Sequence, residues 1–365
     1  MNKYWSSFVA GIKPYTPGEQ PADRKFIKLN TNENPYPPSP AVIKAAREAA
    51  GEDLRLYPQP ECEDLRDRLA QYEGLKRSNI YISNGSDEML AFAFLAFFKK
   101  NEPIYFPEFT YSFYESYCAL FGIRYVKVPL GEDFCIDVGE YCSQAPRGGI
   151  IFPNPNAPTA VMMPGKDICR ILEANPETVT IIDEAYVDFA GTGQESASMA
   201  GKVEEYPNLL VIKTFSKSHS LAGMRIGYAA GGGHLIEALA RIKNSFNSYV
   251  ADRVSLAAAE AAVADSVYYR GIRERIIKTR ERVIPVFRGL GFKVTESGAN
   301  FIFVSHKDIR GREFYDLLRE RGILVRHFDK PGIEDHLRIT IGSDGEMDIL
   351  IDKIHEILEK KKGGM

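Results

Sequence analysis

The sequence predicts an α/β fold: a large domain with a mostly parallel seven-stranded sheet flanked by helices, a smaller α+β domain and an extended N-terminal arm. Three observations lead to this prediction. The chain has 365 residues, more than the roughly 150 typical of one domain. From Ile80 onward, short apolar runs alternate with longer helical patterns. After Gly291, strand-like runs instead surround one helical pattern.

Seven apolar runs supply the strands of the predicted large sheet. They are IYIS (80–83), PIYF (103–106), RYVKV (124–128), GGIIF (148–152), TVTIID (178–183), LLVIK (209–213) and RIGYAAG (225–231). Nearly continuous apolar strands separated by helical crossovers indicate a parallel sheet that is covered on both faces. Ligands of such sheets bind beyond the carboxyl ends of the strands, so we expect functional residues directly after these runs.

The remaining segments predict the other parts of the fold. Residues 252–290 carry a long Ala- and Arg-rich helical pattern, and a final amphipathic stretch covers 348–361. Between them lie the strand-like runs FKV, NFIFVS, ILVR and HLRITIG and a helix at about 311–320. Seven prolines among the first forty residues favour an extended arm. We therefore expect an arm and the start of the small domain in 1–40, a large domain in 41–285 and a small C-terminal domain in 286–365.

Composition excludes several classes of function. Forty-six basic and 49 acidic side chains give a formal charge of -3, which argues against a nucleic-acid partner bound through its phosphates. The longest apolar run, 89–98, is too short for a membrane span of about 20 residues, and we expect no secretion signal. Five cysteines without CxxC spacing and scattered histidines predict reduced thiols in a cytoplasmic protein without a metal site.

An acidic pair follows one of the predicted strands, in TVTIIDEAY. A strand ending in Asp183-Glu184 resembles the acidic strand end of a nucleotide hydrolase, which also requires a GxxxxGK[ST] phosphate loop. The nearest Gly-Lys pair, Gly165-Lys166, lacks the other glycine and the hydroxyl residue. No GxGxxG opens a helix either. The sequence therefore does not favour a nucleotide or dinucleotide site.

A lysine and an aspartate fall at the same predicted sheet edge. Lys217 lies in TFSKSHSLAGMRIGY, directly after LLVIK, and Asp183 ends the preceding strand. A lysine that can form an imine and an aspartate that can hold a pyridinium proton are what pyridoxal phosphate requires. SNGSDE adds Ser86 and Asp87 at a helix start, where backbone N–H groups favour an anion. Taken alone, Lys217 would be a solvated surface charge and the turn at Ser86 would be a helix cap. Together these features indicate a cofactor site.

These segments also carry a family resemblance that covers nearly the whole chain. In order, the segments are KPY, KLNTNENPYPPSP, RLYPQP, SNGSDE, PEFTYSFY, NPNAPTA, IDEAYVDF, TFSKSHSLAGMRIGY and LRITIG. The sequence resembles the fold-type-I, class-II pyridoxal-phosphate-dependent aminotransferases, and within them the histidinol-phosphate aminotransferases. The set of motifs is highly specific for the family and less specific for the substrate.

The resemblance implies roles for the residues that would contact pyridoxal 5'-phosphate. Lys217 is implied to be the Schiff-base lysine that also moves the substrate α-proton, with a pKa depressed by burial and nearby cations. Asp183 is implied to be the partner of the pyridine nitrogen, and Tyr186 is implied to form a hydrogen bond with the phenolate oxygen. Tyr111 is implied to stack on the ring. The implied phosphate ligands are Ser86, Asp87, Ser216, Arg225 and, from the other subunit of a homodimer, Tyr57.

One motif departs from the family pattern. The family commonly reads PNNPTG, and its asparagine before the second proline contacts the phenolate oxygen. Here the segment reads PNAPTA, with Ala157 at that position and Ala160 in place of the glycine. Either Asn156 substitutes for the missing contact or Tyr186 makes it alone.

The resemblance further implies the substrates. Arg326, Arg338 and Tyr15 match residues that bind the anionic groups of substrates, although the two arginines could instead form salt bridges on strand faces. The expected reaction is transamination between histidinol phosphate and 2-oxoglutarate in histidine biosynthesis, giving glutamate. A threonine-phosphate decarboxylase, an aromatic or broad aminotransferase, and an inactive cofactor-binding relative remain alternatives.

Overall fold

A computed structural model describes residues 3–12, 14, 18–21, 24–98, 101–143, 148–191 and 197–363. Its strands are β1 (Ile27–Lys28), β2 (Ile80–Ser83), β3 (Ile104–Pro107), β4 (Tyr125–Val128), β5 (Gly149–Pro153), β6 (Thr180–Asp183), β7 (Leu209–Thr214), β8 (Gly227–Gly231), β9 (Phe292–Val294), β10 (Phe301–His306), β11 (Ile323–Leu324), β12 (Arg326–His327) and β13 (His336–Thr340). Its helices are α1 (Ser7–Gly11), α2 (Pro40–Ala49), α3 (Glu63–Glu73), α4 (Gly85–Phe97), α5 (Phe113–Phe121), α6 (Val138–Ser143), α7 (Gly165–Ala174), α8 (Gly233–Phe246), α9 (Arg253–Ala264), α10 (Ser266–Gly289), α11 (Gly311–Glu320) and α12 (Asp344–Gly363).

The large sheet confirms the predicted α/β fold. Its seven strands lie in the order β2-β8-β7-β6-β5-β3-β4, and each comes from one of the seven predicted apolar runs. β8 runs antiparallel to both of its neighbours, and the other pairs are parallel. Consequently β2, β5, β6 and β7 all end at one edge, where β8 begins. This edge brings the segments after Ser83, Asp183 and Thr214 next to the segment that leads into Gly227.

Alternating side chains of the central strands fill two separate cores, one on each face of this sheet. Ile182 and Val211 belong to one core, whereas Ile181 and Ile212 belong to the other. All four of these side chains are fully buried. Burial on both faces explains why the strands read as continuous apolar runs, and it provides a rigid base for the loops at the edge.

The second part of the fold is an antiparallel sheet in the order β12-β13-β10-β9, beside a parallel pair of β1 and β11. The predicted boundary at residue 285 falls inside α10, which continues through Pro285. Ile272, Ile276 and Phe287 of this helix pack in one core with residues of the small sheet. We therefore propose that the small domain includes α10 and begins near residue 265. In the described ranges, no helix is long and apolar enough to cross a membrane.

Candidate active site

A cavity of about 250 Å³ lies at the edge of the large sheet, and residues of the arm and of the small sheet complete its wall. Ten of the thirteen residues predicted from the sequence line this cavity: Ser86, Asp87, Tyr111, Asp183, Tyr186, Ser216, Lys217, Arg225, Arg326 and Arg338. They come from positions 86 to 338 of the chain. The strand ends, the helix start after β2 and the paired strands β12 and β13 therefore converge on one site.

Lys217 follows β7 and points its amine toward the arm. Its Nζ donates a hydrogen bond to the Thr31 carbonyl oxygen at 2.9 Å, and its own carbonyl accepts one from Asn34 Nδ2 at 3.0 Å. Burial lowers the pKa of Lys217 to about 8, and the positive charges of Arg338 and Arg225 act in the same direction. A buried lysine near cations holds a larger neutral fraction, and only the neutral amine is a nucleophile.

Asp183, at the end of β6, is 5% exposed and faces the same cavity. Its Oδ2 accepts a hydrogen bond from the Tyr114 hydroxyl at 3.1 Å, and its Oδ1 accepts one from the Ala185 N–H at 3.2 Å. Burial raises the pKa of this carboxyl to about 6, although both hydrogen bonds oppose the shift. A buried carboxylate of this kind is stabilised by a cationic N–H group in the cavity.

The start of α4 and the start of β8 form a cup for an anion. Gly85 has a φ of +77°, and a Cβ there would lie 2.6 Å from Arg225 Nη2. A Cβ on Gly227 would lie 2.6 Å from the Ser86 backbone nitrogen. Only glycine lets these segments approach so closely. The helix N-terminus, the Arg225 guanidinium and the Ser216 hydroxyl thus provide a donor set suited to a phosphate group.

The side chain of Asp87 contacts two other residues of this cup. Its Oδ1 accepts a hydrogen bond from the Tyr111 hydroxyl at 2.9 Å, and its Oδ2 lies 3.4 Å from Arg225 Nη2. A carboxylate would repel a phosphate, but here it holds Tyr111 and Arg225 in place. In an anion site at this cup, Asp87 would contribute its backbone N–H and this positioning.

Two predicted residues of the described ranges do not line this cavity. The Asn156 side chain is fully buried and bonded elsewhere, since its Nδ2 donates to the Phe109 carbonyl at 2.9 Å and its Oδ1 accepts from Thr110 at 3.2 Å. Tyr57 is 78% exposed and stacks on Tyr249 with 4.5 Å between ring centroids. Tyr15 lies outside the described residues.

Sequence reasoning predicted Tyr15 of the arm as a contact but missed three other arm residues. Thr31, Asn32 and Glu33 line the cavity, and Glu33 is held by Lys28 at 2.7 Å. These residues belong to the KLNTNENPYPPSP segment, which carried part of the resemblance, but no individual role was predicted for them. The only available signal was the polar TNEN sequence, which is separated from the end of β1 by two residues.

The donor set fits pyridoxal 5'-phosphate. That cofactor carries a phosphate, an aldehyde that reacts with an amine, and a pyridine nitrogen that needs an acidic partner. The cup at Gly85, the Lys217 amine and the buried Asp183 carboxyl supply these three features in one cavity, with Tyr111 in its wall.

Comparisons with known proteins agree with this chemistry. The family model for aminotransferase class I and II matches residues 24–354. The chain is 51% identical to the histidinol-phosphate aminotransferase of Clostridium beijerinckii, covering 99% of each chain. It is 49% identical to the Clostridium acetobutylicum enzyme of the same name, covering 98% of this chain and all of that one.

A solved structure agrees as well. The histidinol-phosphate aminotransferase of Sinorhizobium meliloti in complex with pyridoxal-5'-phosphate superimposes with a TM-score of 0.88 at 26% identity, covering 99% of both chains. On this evidence the chain belongs to the class I and II aminotransferases and is a pyridoxal-phosphate-dependent transaminase.

Proposed function

We propose that this enzyme transfers the amino group of histidinol phosphate to 2-oxoglutarate. The relatives that carry the name histidinol-phosphate aminotransferase match the chain over its full length, which supports the proposal. The observation that carries it is a pair of arginines in the cavity wall. Arg326 of β12 and Arg338 of β13 are direct cross-strand partners.

This arginine pair is suited to a divalent anion. Direct partners project from the same face of a sheet, and both of these residues line the cavity. Like charges at such positions destabilise a sheet, so their presence favours a binding function over a structural one. A distal phosphate of one substrate and the side-chain carboxylate of 2-oxoglutarate or glutamate would bind alternately to the pair, since guanidinium groups form forked bonds with both anions.

Three residues of the chain would act on the reacting groups. Pyridoxal 5'-phosphate, when bound, supplies the electron sink that stabilises negative charge on the substrate α-carbon. Lys217 Nζ would take the proton from that carbon and return it to the neighbouring position. Asp183 would keep the pyridine nitrogen protonated, and Tyr186 Oη would donate a hydrogen bond to the phenolate oxygen. Asn156 remains a support of the cavity wall in this proposal.

The direct test mixes the purified enzyme, carrying its cofactor, with L-histidinol phosphate and follows the absorbance of the cofactor. We expect the resting band to disappear and to return on addition of 2-oxoglutarate. Arg338→Gln should raise the KM for histidinol phosphate by about tenfold or more, as expected when a charged hydrogen-bond partner is lost. Arg310→Gln, an exposed arginine paired with Asp335, is the matched control.

The rival activities give distinct results in the same experiment. Carbon dioxide released from threonine phosphate would indicate a decarboxylase. Spectral change with an aromatic amino acid, together with none from histidinol phosphate, would indicate an aromatic aminotransferase. Either result would overturn the proposed substrate while leaving the cofactor site intact.

We further propose that the active unit is a homodimer in which Tyr57 reaches the partner's cofactor phosphate. The exposure of Tyr57 and of its stacking partner Tyr249 supports an apolar interface at this surface. The test mixes Lys217→Ala subunits with Tyr57→Ala subunits, each poorly active alone. Hybrid dimers would contain one site with both groups intact and should regain activity; no gain would exclude the contact across the interface.

The cysteines support a proposal about location. All five thiols of the chain are free, and Cys62 and Cys118 are buried. Because free thiols persist in reducing compartments, we propose that the enzyme acts in the cytoplasm.

A further inference from the structure

Asn32 links the N-terminal arm to both the small sheet and Tyr186. Its side chain is 1% exposed and its backbone is left-handed, with a φ of 56°. Its N–H donates to Thr340 Oγ1 at 3.0 Å, and its carbonyl accepts a hydrogen bond from Asn300 Nδ2 at 3.1 Å. These contacts fix the residue in the cavity wall, where its Nδ2 lies 3.0 Å from Tyr186 Oη.

The hydrogen bonds of Thr340 determine which way the Asn32 amide points. Thr340 Oγ1 already accepts the Asn32 N–H, and its own proton is donated to Asn32 Oδ1 at 3.1 Å. The amide oxygen therefore faces Thr340, and the amide nitrogen faces Tyr186. Because an amide nitrogen only donates, Tyr186 Oη is the acceptor in this contact. The phenolic proton of Tyr186 must then point away from Asn32.

The rest of the wall restricts the Tyr186 ring. The ring packs against the apolar cluster formed by Ala157, Ala160, Ala299 and Phe301. Its centroid lies 5.0 Å from that of Phe301, with the rings at 84°. In this cluster the Ala157 methyl offers no hydrogen bond, and the Asn156 amide is turned toward Phe109. Among the predicted and lining residues, Asn32 is thus the amide that contacts the Tyr186 hydroxyl.

We propose that Asn32 is a positioning residue that fixes the Tyr186 hydroxyl as an acceptor on one side, so that its proton is presented to the cofactor's phenolate oxygen. The inference rests on the proposed role of Tyr186. A hydroxyl that accepts one hydrogen bond becomes a stronger donor for the next. Asn32 would in this way strengthen a contact that Tyr186 alone makes at a site where Ala157 contributes none.

The experiment measures the pH midpoint of the absorbance transition of the bound cofactor. Wild type, Asn32→Gly, Tyr186→Phe and the double variant are compared; glycine keeps the left-handed backbone but removes the amide. Tyr186→Phe should raise the midpoint by about one pH unit, because the phenolate loses a donor, and Asn32→Gly by about half a unit. In the Tyr186→Phe background, Asn32→Gly should add no further shift.

A second variant acts without touching Asn32. Thr340→Val removes the hydroxyl that orients the amide and should shift the midpoint in the same direction by a smaller amount. Thr279→Val makes the same substitution at an equally buried threonine, since each is 2% exposed, and should leave the midpoint unchanged. This pair gives a result even if Asn32→Gly fails to fold.

The outcomes separate this inference from the proposed function. The role of Asn32 would be overturned if Asn32→Gly shifted the midpoint equally in the wild type and in Tyr186→Phe. It would also be overturned if neither Asn32→Gly nor Thr340→Val shifted the midpoint. The role of Tyr186 would stand in both cases. An unchanged midpoint in Tyr186→Phe would overturn both roles. Inactivity toward histidinol phosphate would affect the proposed substrate alone, because the midpoint is measured without substrate.

Discussion

The Lys217 amine should titrate near pH 8 in protein freed of its cofactor, and the pH dependence of its reactivity tests the geometry around it. Burial is the main cause of the lowered pKa, followed by the charge of Arg338. At pH 7 a lysine with a pKa of about 8 is neutral in about 9% of molecules. An ordinary lysine, with a value of 10.5, is neutral in roughly 0.03%.

The pH dependence of the neutral fraction distinguishes Lys217 from an ordinary lysine most clearly between pH 7 and 9. Across this interval the neutral fraction of Lys217 should increase about tenfold and then level off, since it passes through its midpoint. For an ordinary lysine the fraction increases roughly a hundredfold and is still increasing at pH 9. The shape of the profile therefore reports the pKa independently of how reactive the amine is.

Trace acylation of the cofactor-free protein, followed by digestion and mass spectrometry, measures this profile residue by residue. Lys44, whose side chain is 75% exposed, provides a reference in the same digest. Arg338→Gln should raise the Lys217 midpoint only part of the way toward 10.5, because burial remains. A hundredfold increase at Lys217 between pH 7 and 9 in the wild type would refute the reasoning.

Three further predictions concern stability. Asp183→Asn should increase the free energy of unfolding of the cofactor-free protein, measured with denaturant, by about 3 kcal/mol above pH 6. The reason is that the substitution removes an acid whose pKa rises from 3.8 to about 6 on folding. This gain in stability should vanish as the pH falls to 3.8. Gly85→Ala should cost about 1–3 kcal/mol and weaken cofactor binding, since its φ is +77° and Arg225 blocks the methyl; unchanged affinity by titration would contradict the cup. Arg280→Met should lower the unfolding free energy by about 2–4 kcal/mol in a denaturant titration, because the Phe189 and Ala299 carbonyls lose a buried donor, whereas a loss below 1 kcal/mol would refute this.

The sequence was sufficient to predict the position of residues that lie at or just beyond the carboxyl end of a parallel strand. Asp183 ends one apolar run and Lys217 lies shortly after another, and parallel strands place their carboxyl ends at one edge. Arg225 instead begins its run, and it reaches this edge because β8 is antiparallel to β7, so its place in the site was expected from the family resemblance and not from the strand rule. The positions of Asp183 and Lys217 depend only on short-range patterns and on one topological rule, so no side-chain detail was needed.

Asn156 and Asn32 show where this reasoning ends. Asn156 directly precedes Ala157, a cavity residue, but its side chain is turned into the protein by partners at 109 and 110, far away in sequence. Asn32 lies 154 residues before Tyr186, and no local pattern indicates that the two meet. The direction of each asparagine side chain depends on hydrogen-bond partners that come from other elements of the fold. The predicted boundary at residue 285 falls inside α10, and the proposed boundary near residue 265 rests on the packing of this helix against the small sheet, a long-range contact that no local pattern reveals.

Several groups in this cavity are held in states that cost stability, and the same groups are the ones to which the proposed function assigns a role. The Asp183 carboxyl is buried, the Lys217 amine is held near Arg225 and Arg338, and Arg326 lies directly across from Arg338. Asn32 and Arg225 both adopt left-handed backbones that non-glycine residues rarely use. A phosphate in the cup, a protonated pyridine nitrogen beside Asp183 and a substrate anion between the arginines would each neutralise one of these unfavourable interactions. The sheet and its two cores thus hold these groups in positions that ligand binding stabilises, and in this way a rigid fold makes binding selective for ligands with all three charges in place.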